Sequence, residues 1–287
     1  MIGALRQTAK RLPGVPALLD TKLYKRVRHR IALMTGPREN SVFTGFCRLP
    51  TQFHALTGPV IDFLGEDARK RPLEIVLFGS SNGAEPYTIA SLILTARPDL
   101  AFRISAFDID PEIIAKARGA CYSADEDVYN NRAISDDFVE RTFDRTAEGL
   151  EVKSEIARHV TFEVADALDP QLHKRVGHAD ILVAQNFLFH LEPGASRTAL
   201  HNLCTLLRPR SALLADGTDL NIRQAVTRSL GLVPLDYKLE EIHNEARWAR
   251  AEGWPDAYWG LEPFMTTSRD WKRRYATIFL KGATTGP

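Results

Sequence analysis

Leu73-Glu74-Ile75-Val76-Leu77-Phe78-Gly79-Ser80-Ser81-Asn82-Gly83-Ala84-Glu85-Pro86-Tyr87 is a short, mostly apolar run, a glycine-bounded turn and the opening of a helical pattern. Runs of this kind, bounded by turn residues, read as buried strands. The pattern recurs. Phe102–Phe107 reads as a second strand, with Pro111–Arg118 helical behind it, and Val160–Val164, Asp180–Ala184 and Ala212–Ala215 supply three more. Helical patterns follow at Ala84–Ala96 and near residues 195–207, and Tyr275–Lys281 reads as a terminal strand. Apolar strands alternating with helices predict an α/β fold, a doubly wound, Rossmann-like parallel sheet covered on both faces.

Upstream, Thr51–Leu64 reads as one helix with Phe53, Leu56, Val60 and Leu64 on a stripe, and residues 21–34 as a basic amphipathic helix. The chain has 287 residues, 44% hydrophobic and 25% charged, which excludes a disordered tract and leaves room for a large domain with an appendage. The expected division is a basic helical N-terminal segment over residues 1–65 and a main domain over residues 66–287. Its net charge of +1 is a sum of unlike parts. Residues 1–34 carry eight Lys/Arg against Asp20 alone, leaving 29 basic and 35 acidic residues in the remainder. The arm therefore reads either as a solvated helix face or as a contact for an acidic protein surface.

Cys47, Cys121 and Cys204 are an odd number with no C-x-x-C spacing, so neither a disulfide framework nor a zinc knuckle is expected. A reducing, cytoplasmic location fits that usage. No run approaches the roughly 18 apolar residues of a transmembrane helix. The eight histidines show no H-E-x-x-H spacing, and neither a metal nor nucleic acid is expected as a partner.

In a doubly wound sheet the ligand lies at the carboxyl ends of the strands. The turn after the first strand, from Gly79 to Gly83, is not G-x-G-x-x-G, and no P-loop lysine follows it. Glu85 at the helix opening would repel a pyrophosphate and suits an ammonium or hydroxyl; its other reading is a charge complementing the helix dipole. Asp110 before Pro111 reads as an N-cap, whereas Asp108, two residues earlier, has no capping job and suits ribose hydroxyls. Asp166 after the third strand could accept from an adenine amino group, and Asn186, with Phe187 beside it, follows the fourth. These tips form a nucleoside site with acidic character and little phosphate-binding machinery. S-adenosylmethionine has that chemistry: adenosine, a sulfonium and an α-amino acid.

Two blocks, Gly83-Ala84-Glu85-Pro86-Tyr87-Thr88-Ile89-Ala90 and Ala106-Phe107-Asp108-Ile109-Asp110 followed by Ala115 to Tyr122, resemble the CheR-type methyltransferases of chemotaxis receptors. Thr44-Gly45-Phe46-Cys47-Arg48 is similar to that family's T-x-F-F-R segment. The resemblance runs from about Thr44 to about Thr218 and implies cofactor contacts from Thr44, Arg48, Glu85, Asp108, Asp166, Ala167 and Asn186, with Arg48 also facing the substrate. It further implies a small inserted subdomain over residues 122–159.

The chain departs from the family after the fourth strand, where Gln185-Asn186-Phe187-Leu188-Phe189-His190 stands in place of Arg-Asn-x-x-x-Tyr. The asparagine survives, but the flanking arginine and tyrosine do not, which places receptor glutamate in doubt as the acceptor. A second departure is the aromatic-rich stretch over residues 240–272, which holds all four tryptophans. It reads either as a packed helical extension or as a lid or substrate wall.

Three functions follow as expectations. The first is methyl transfer to a carboxylate or other nucleophile of a small molecule or peptide, with Arg48 orienting the acceptor and His190 able to take a proton from a hydroxyl or ammonium. The others are glutamate O-methylation of chemoreceptor-like proteins, and a cofactor-binding sensor without turnover.

Overall fold

The computed structural model describes residues 44–65, 70–124, 128, 134–248, 262–267 and 269–282. The basic stretch 1–34, Trp254, Tyr258 and Trp259 lie outside the described residues.

Among the described residues ten strands form: β1 (Leu73–Phe78), β2 (Phe102–Asp108), β3 (Cys121–Tyr122), β4 (Phe143–Arg145), β5 (Leu150–Val152), β6 (Val160–Val164), β7 (Ala179–Gln185), β8 (Leu207–Asp216), β9 (Val233–Pro234) and β10 (Ile278–Lys281). Seven of them build one sheet in the order β6-β2-β1-β7-β8-β10-β9. The ladders joining β6, β2, β1, β7 and β8 are parallel, and β10 runs antiparallel between β8 and β9. This is the doubly wound α/β sheet expected from the alternating pattern, with an antiparallel edge added.

Strand alternation explains why both faces are dry. Ile75 and Leu77 point with Ile104, Ile181 and Val183 into one apolar cluster, which the helices Ala84–Ala96 and Pro111–Gly119 cover through Ile89, Ile93 and Ile114. Val76 and Phe78 point the other way with Phe107, Leu182 and Ala184, beneath the helices Pro193–Cys204 and Leu220–Ser229. Removing one such side chain, Leu77→Ala for example, would cost about 2–5 kcal/mol.

Three boundaries differ from the expected ones. Thr51–Leu64 is not one regular helix: a π-turn over Leu56–Val60 interrupts it, because Gly58 leaves helical geometry (φ −102°, ψ −107°) and Pro59 has no amide hydrogen to donate. The final strand begins at Ile278, since Trp271–Tyr275 forms a short helix before it. Ala212–Ala215 is only part of the ten-residue β8, whose buried run is Ser211–Asp216. A separate three-stranded antiparallel sheet, β3-β5-β4, hangs off the helix Pro111–Gly119. Aromatic edges join it to the main domain, with Phe46 lying 4.9 Å from Tyr122 and 5.0 Å from Phe143 between ring centres.

Candidate active site

The carboxyl ends of β1, β2, β6, β7 and β8 converge on one edge of the sheet. After β1 the chain turns through Gly79 (φ +76°) and Gly83 (φ +92°), values that favour glycine. A side chain at Gly79 would meet Phe187 at 2.8 Å, and one at Gly83 would meet the Tyr122 hydroxyl at 2.9 Å. The turn is pinned from its neighbours. The amides of Gly79 and Ser80 both donate to the Phe107 carbonyl, at 2.9 and 3.0 Å. The Tyr122 hydroxyl donates to the Asn82 carbonyl at 2.7 Å, which ties the small sheet to this loop.

Asp108 caps no helix, but its carboxylate has partners of its own at the turn. Its Oδ2 accepts from the Ser81 amide at 2.8 Å and its Oδ1 from the Asp110 amide at 3.2 Å. The reason is the parallel pairing of β1 with β2, which brings the two strand tips side by side. Asp110 is the expected N-cap, its Oδ1 accepting from the Glu112 and Ile113 amides. Asp166 follows β6, whose tip is held by the Ala165 amide donating to the Asp108 carbonyl at 2.9 Å, and its Oδ1 accepts from the Leu168 amide at 2.9 Å. Ala167 is buried, and its carbonyl accepts from Asn202 Nδ2 at 3.1 Å.

Asn186 ends β7 in the left-handed region (φ +56°), its amide donating to the Asp216 carbonyl at 3.0 Å. Gly217 sits against it so closely that a Cβ there would lie 2.6 Å from the Asn186 Cα. His190 closes the turn Leu188–His190, its ring centre 4.0 Å from that of Phe189. Thr44 and Arg48 are half-buried in the segment before the helix Pro50–Ala55.

Glu85 is the electrostatic centre of this edge. It is 8% exposed, and burial pushes its carboxyl from 4.5 up to about 7. The Arg48 guanidinium opposes that rise and the Asp216 carboxylate adds to it. Asp216 is itself buried beside Arg223, 3.6 Å from Oδ1 to Nη1, and Arg223 donates to the Ala215 and Arg274 carbonyls at 3.0 Å each.

Ser80 Oγ, Ser81 Oγ, Glu85 Oε1 and Thr218 Oγ1 are buried here with no hydrogen-bond partner within the chain. Unpaired buried polar atoms are uncommon in native folds and call for a reason. A carboxyl and two hydroxyls at the glycine turn, with the Thr218 hydroxyl beyond the β8 tip and no lysine in the β1 turn, fit an ammonium-bearing, phosphate-free nucleoside.

Residues 42–228, about two thirds of the chain, match the CheR methyltransferase, SAM binding domain family. The chain belongs to the CheR methyltransferase family. Its cofactor is S-adenosylmethionine, which the family's domain binds and which the buried oxygens of the turn fit.

Among CheR relatives, the probable biofilm formation methyltransferase WspC of Pseudomonas putida is 31% identical over 171 residues, covering 59% of this chain and 39% of its own length. A chemotaxis protein methyltransferase of Vibrio parahaemolyticus is 28% identical over 158 residues, covering 53% of this chain and 56% of its own. The chain thus spans about half the length of the curated relatives it matches. A solved magnesium protoporphyrin IX methyltransferase from Synechocystis, described with bound SAM, superposes at a TM-score of 0.37 and 14% identity, covering 74% of this chain and 87% of its own.

Sequence reasoning did not single out Ser80, Ser81, Thr218, Asp216 or Arg223 at this edge of the sheet. The signal for Thr218 was present, since Gly217 closes β8 as Gly79 closes β1. Nothing along the chain marks Asp216 and Arg223 as partners, because that pairing depends on how the helix Leu220–Ser229 folds back beneath β8.

Proposed function

We propose that the protein transfers the methyl group of S-adenosylmethionine to a carboxylate or another nucleophile of a small molecule or peptide. The observation that carries this reading is the set of unpaired buried oxygens of Ser80, Ser81 and Glu85 at the glycine turn and of Thr218 beyond the β8 tip. When bound, the cofactor supplies an electrophilic methyl on a sulfonium. The chain's part is to hold the reactants in line and keep water out.

In this reading Glu85 takes the ammonium, Asp108 and Asp166 take the ribose and adenine, and Gly79, Ala167, Asn186 and Phe187 shape the pocket around them. Thr44 closes it from the N-terminal side. Arg48, which interacts electrostatically with Glu85, faces both cofactor and acceptor. A carboxylate acceptor is already ionised at neutral pH, with a reference pKa of about 4.3, and needs orientation alone. A hydroxyl or ammonium acceptor must lose a proton, and His190 at the β7 tip is the base we assign to it.

Residues 122–159 serve as an inserted subdomain, and the described part of the aromatic-rich stretch serves as a packed extension, with Phe264 lying 4.8 Å from Tyr275 and 5.7 Å from Trp271 between ring centres. A second reading, glutamate O-methylation of a chemoreceptor-like protein in the cytoplasm, is favoured by relatives named chemotaxis protein methyltransferase. In that case the basic residues of the stretch 1–34 would grip an acidic protein surface. No helix among the described residues is long and apolar enough to cross a membrane.

A cell extract split into protein and small-molecule fractions, incubated with the protein and S-adenosylmethionine labelled in its methyl group, tests both readings. Label confined to small molecules or short peptides supports the first, and label on protein, released as methanol in mild base, supports the second. Asp108→Ala should abolish incorporation either way. Wild-type protein that binds neither the cofactor nor S-adenosylhomocysteine in a calorimetric titration would overturn both.

A further inference from the structure

The helix Pro50–Ala55 begins three residues after Cys47 and directly follows Arg48 and Leu49, yet it has no cap of its own. Leu49, at the N-cap position, offers no side-chain acceptor, and Pro50 occupies the first helical position. The acceptor comes from 194 residues away: Glu245 Oε2 accepts from the Thr51 amide at 3.0 Å, and Glu245 Oε1 accepts from the Thr51 hydroxyl at 2.5 Å. Glu241 Oε1, 2.9 Å from the same hydroxyl, is a second acceptor for its single proton.

We propose that Glu245, which lies beyond the matched family domain on the helix Leu239–Trp248, is a positioning residue that aligns Arg48 at the cofactor site by capping this helix. The inference rests on the reading of Arg48 and Glu85 as parts of that site.

Three features make the cap firm enough for such a role. The helix Leu239–Trp248 is seated by buried Leu239, Ile242 and Ala246. His243 Nε2 donates to the Glu262 carbonyl at 2.7 Å, and its ring meets Tyr275 edge-on at 4.8 Å. On its inner side the capped helix is held by a buried amide chain, in which Gln185 Nε2 donates to Gln52 Oε1 and Gln52 Nε2 donates to Thr277 Oγ1 at 2.7 Å. With the inner side tied to the β7 tip beside Asn186, the outer cap settles the direction in which the Arg48 segment enters the site. A negatively charged cap at a helix start also meets the positive end of the helix dipole.

The test is a double-mutant cycle on the full chain, with S-adenosylhomocysteine as the calorimetric probe. Losing a side-chain cap costs about 1 kcal/mol of helix stability, so Glu245→Ala should weaken binding by up to about fivefold. It should add nothing in an Arg48→Met background, because both changes remove the same alignment. Thr51→Ser keeps both donors and should bind as the wild type does. A pH profile supplies a readout that a merely structural cap would leave alone. Glu85 faces Arg48 from the N-terminal segment and Asp216 from β8, so displacing Arg48 moves the pH midpoint of binding upward in Glu245→Ala.

The proposal is overturned if Glu245→Ala lowers the melting temperature while leaving affinity and midpoint unchanged, or if its effect adds in full to that of Arg48→Met. Should Glu245→Ala not fold, Thr51→Ala carries the same cycle with half of the cap removed. If Arg48→Met and Glu85→Gln leave affinity untouched, the reading of the cofactor site fails first and the inference falls with it.

Discussion

Glu85→Gln isolates the electrostatic strain at the centre of the site. Glu85 ionises near 4.5 in an unfolded chain and near 7 in the cofactor-free fold, chiefly because it is buried. Between those values the folded protein holds a proton that the unfolded chain has released. The carboxyl's contribution to stability is therefore fully present below about pH 4.5 and is lost as the pH rises through about 7. At about 1.36 kcal/mol per pH unit, the gap corresponds to about 3 kcal/mol. Glutamine cannot ionise, so cofactor-free Glu85→Gln should gain up to about 3 kcal/mol over wild type between pH 5 and pH 8, while losing cofactor affinity. Urea denaturation of both proteins at pH 5, 6, 7 and 8 measures the difference. A ligand ammonium draws the ionised form of Glu85, so binding to wild type at pH 6 should also release a proton and its heat should vary with the buffer. A stability difference that stays flat from pH 5 to 8 would refute the assignment of a buried, proton-holding carboxyl.

Two further substitutions probe the supports of the site. Tyr122→Phe removes the hydroxyl that donates to the Asn82 carbonyl and keeps the ring packing against Phe46; it should cost about 1 kcal/mol of stability and weaken cofactor binding several-fold, read by denaturant midpoint and calorimetry. Arg223→Leu removes the guanidinium beside buried Asp216 and should lower stability by about 3–5 kcal/mol, an effect that a paired Asp216→Asn change recovers in large part.

The elements that were legible along the chain are those set by neighbours in sequence. The β1 run, the glycine turn, the Asp110 cap with Pro111 behind it, and the helix Ala84–Ala96 follow from side-chain alternation, left-handed glycines and local side-chain acceptors acting over a few residues. That was enough to reach a doubly wound sheet and an acidic nucleoside edge, because in such folds strand ends gather wherever helices separate parallel strands. The break at Gly58 and Pro59 was also written locally, and a helical stripe of Phe53, Leu56 and Val60 hid it.

What required the folded chain is every feature made between distant residues. Asp108 became a clasp on the Ser81 amide because β1 and β2 lie side by side. Gln185, standing where the family has arginine, turns inward to Gln52, 133 residues away, and from there to Thr277. Glu85 owes its raised pKa to burial and to Asp216 across the site, and Thr51 owes its cap to Glu245. A turn or an N-cap is decided by torsion angles within a few bonds. A buried hydrogen bond or a shifted pKa is decided by which surfaces pack together and exclude water, and that partnership exists only once the sheet and its flanking helices have assembled.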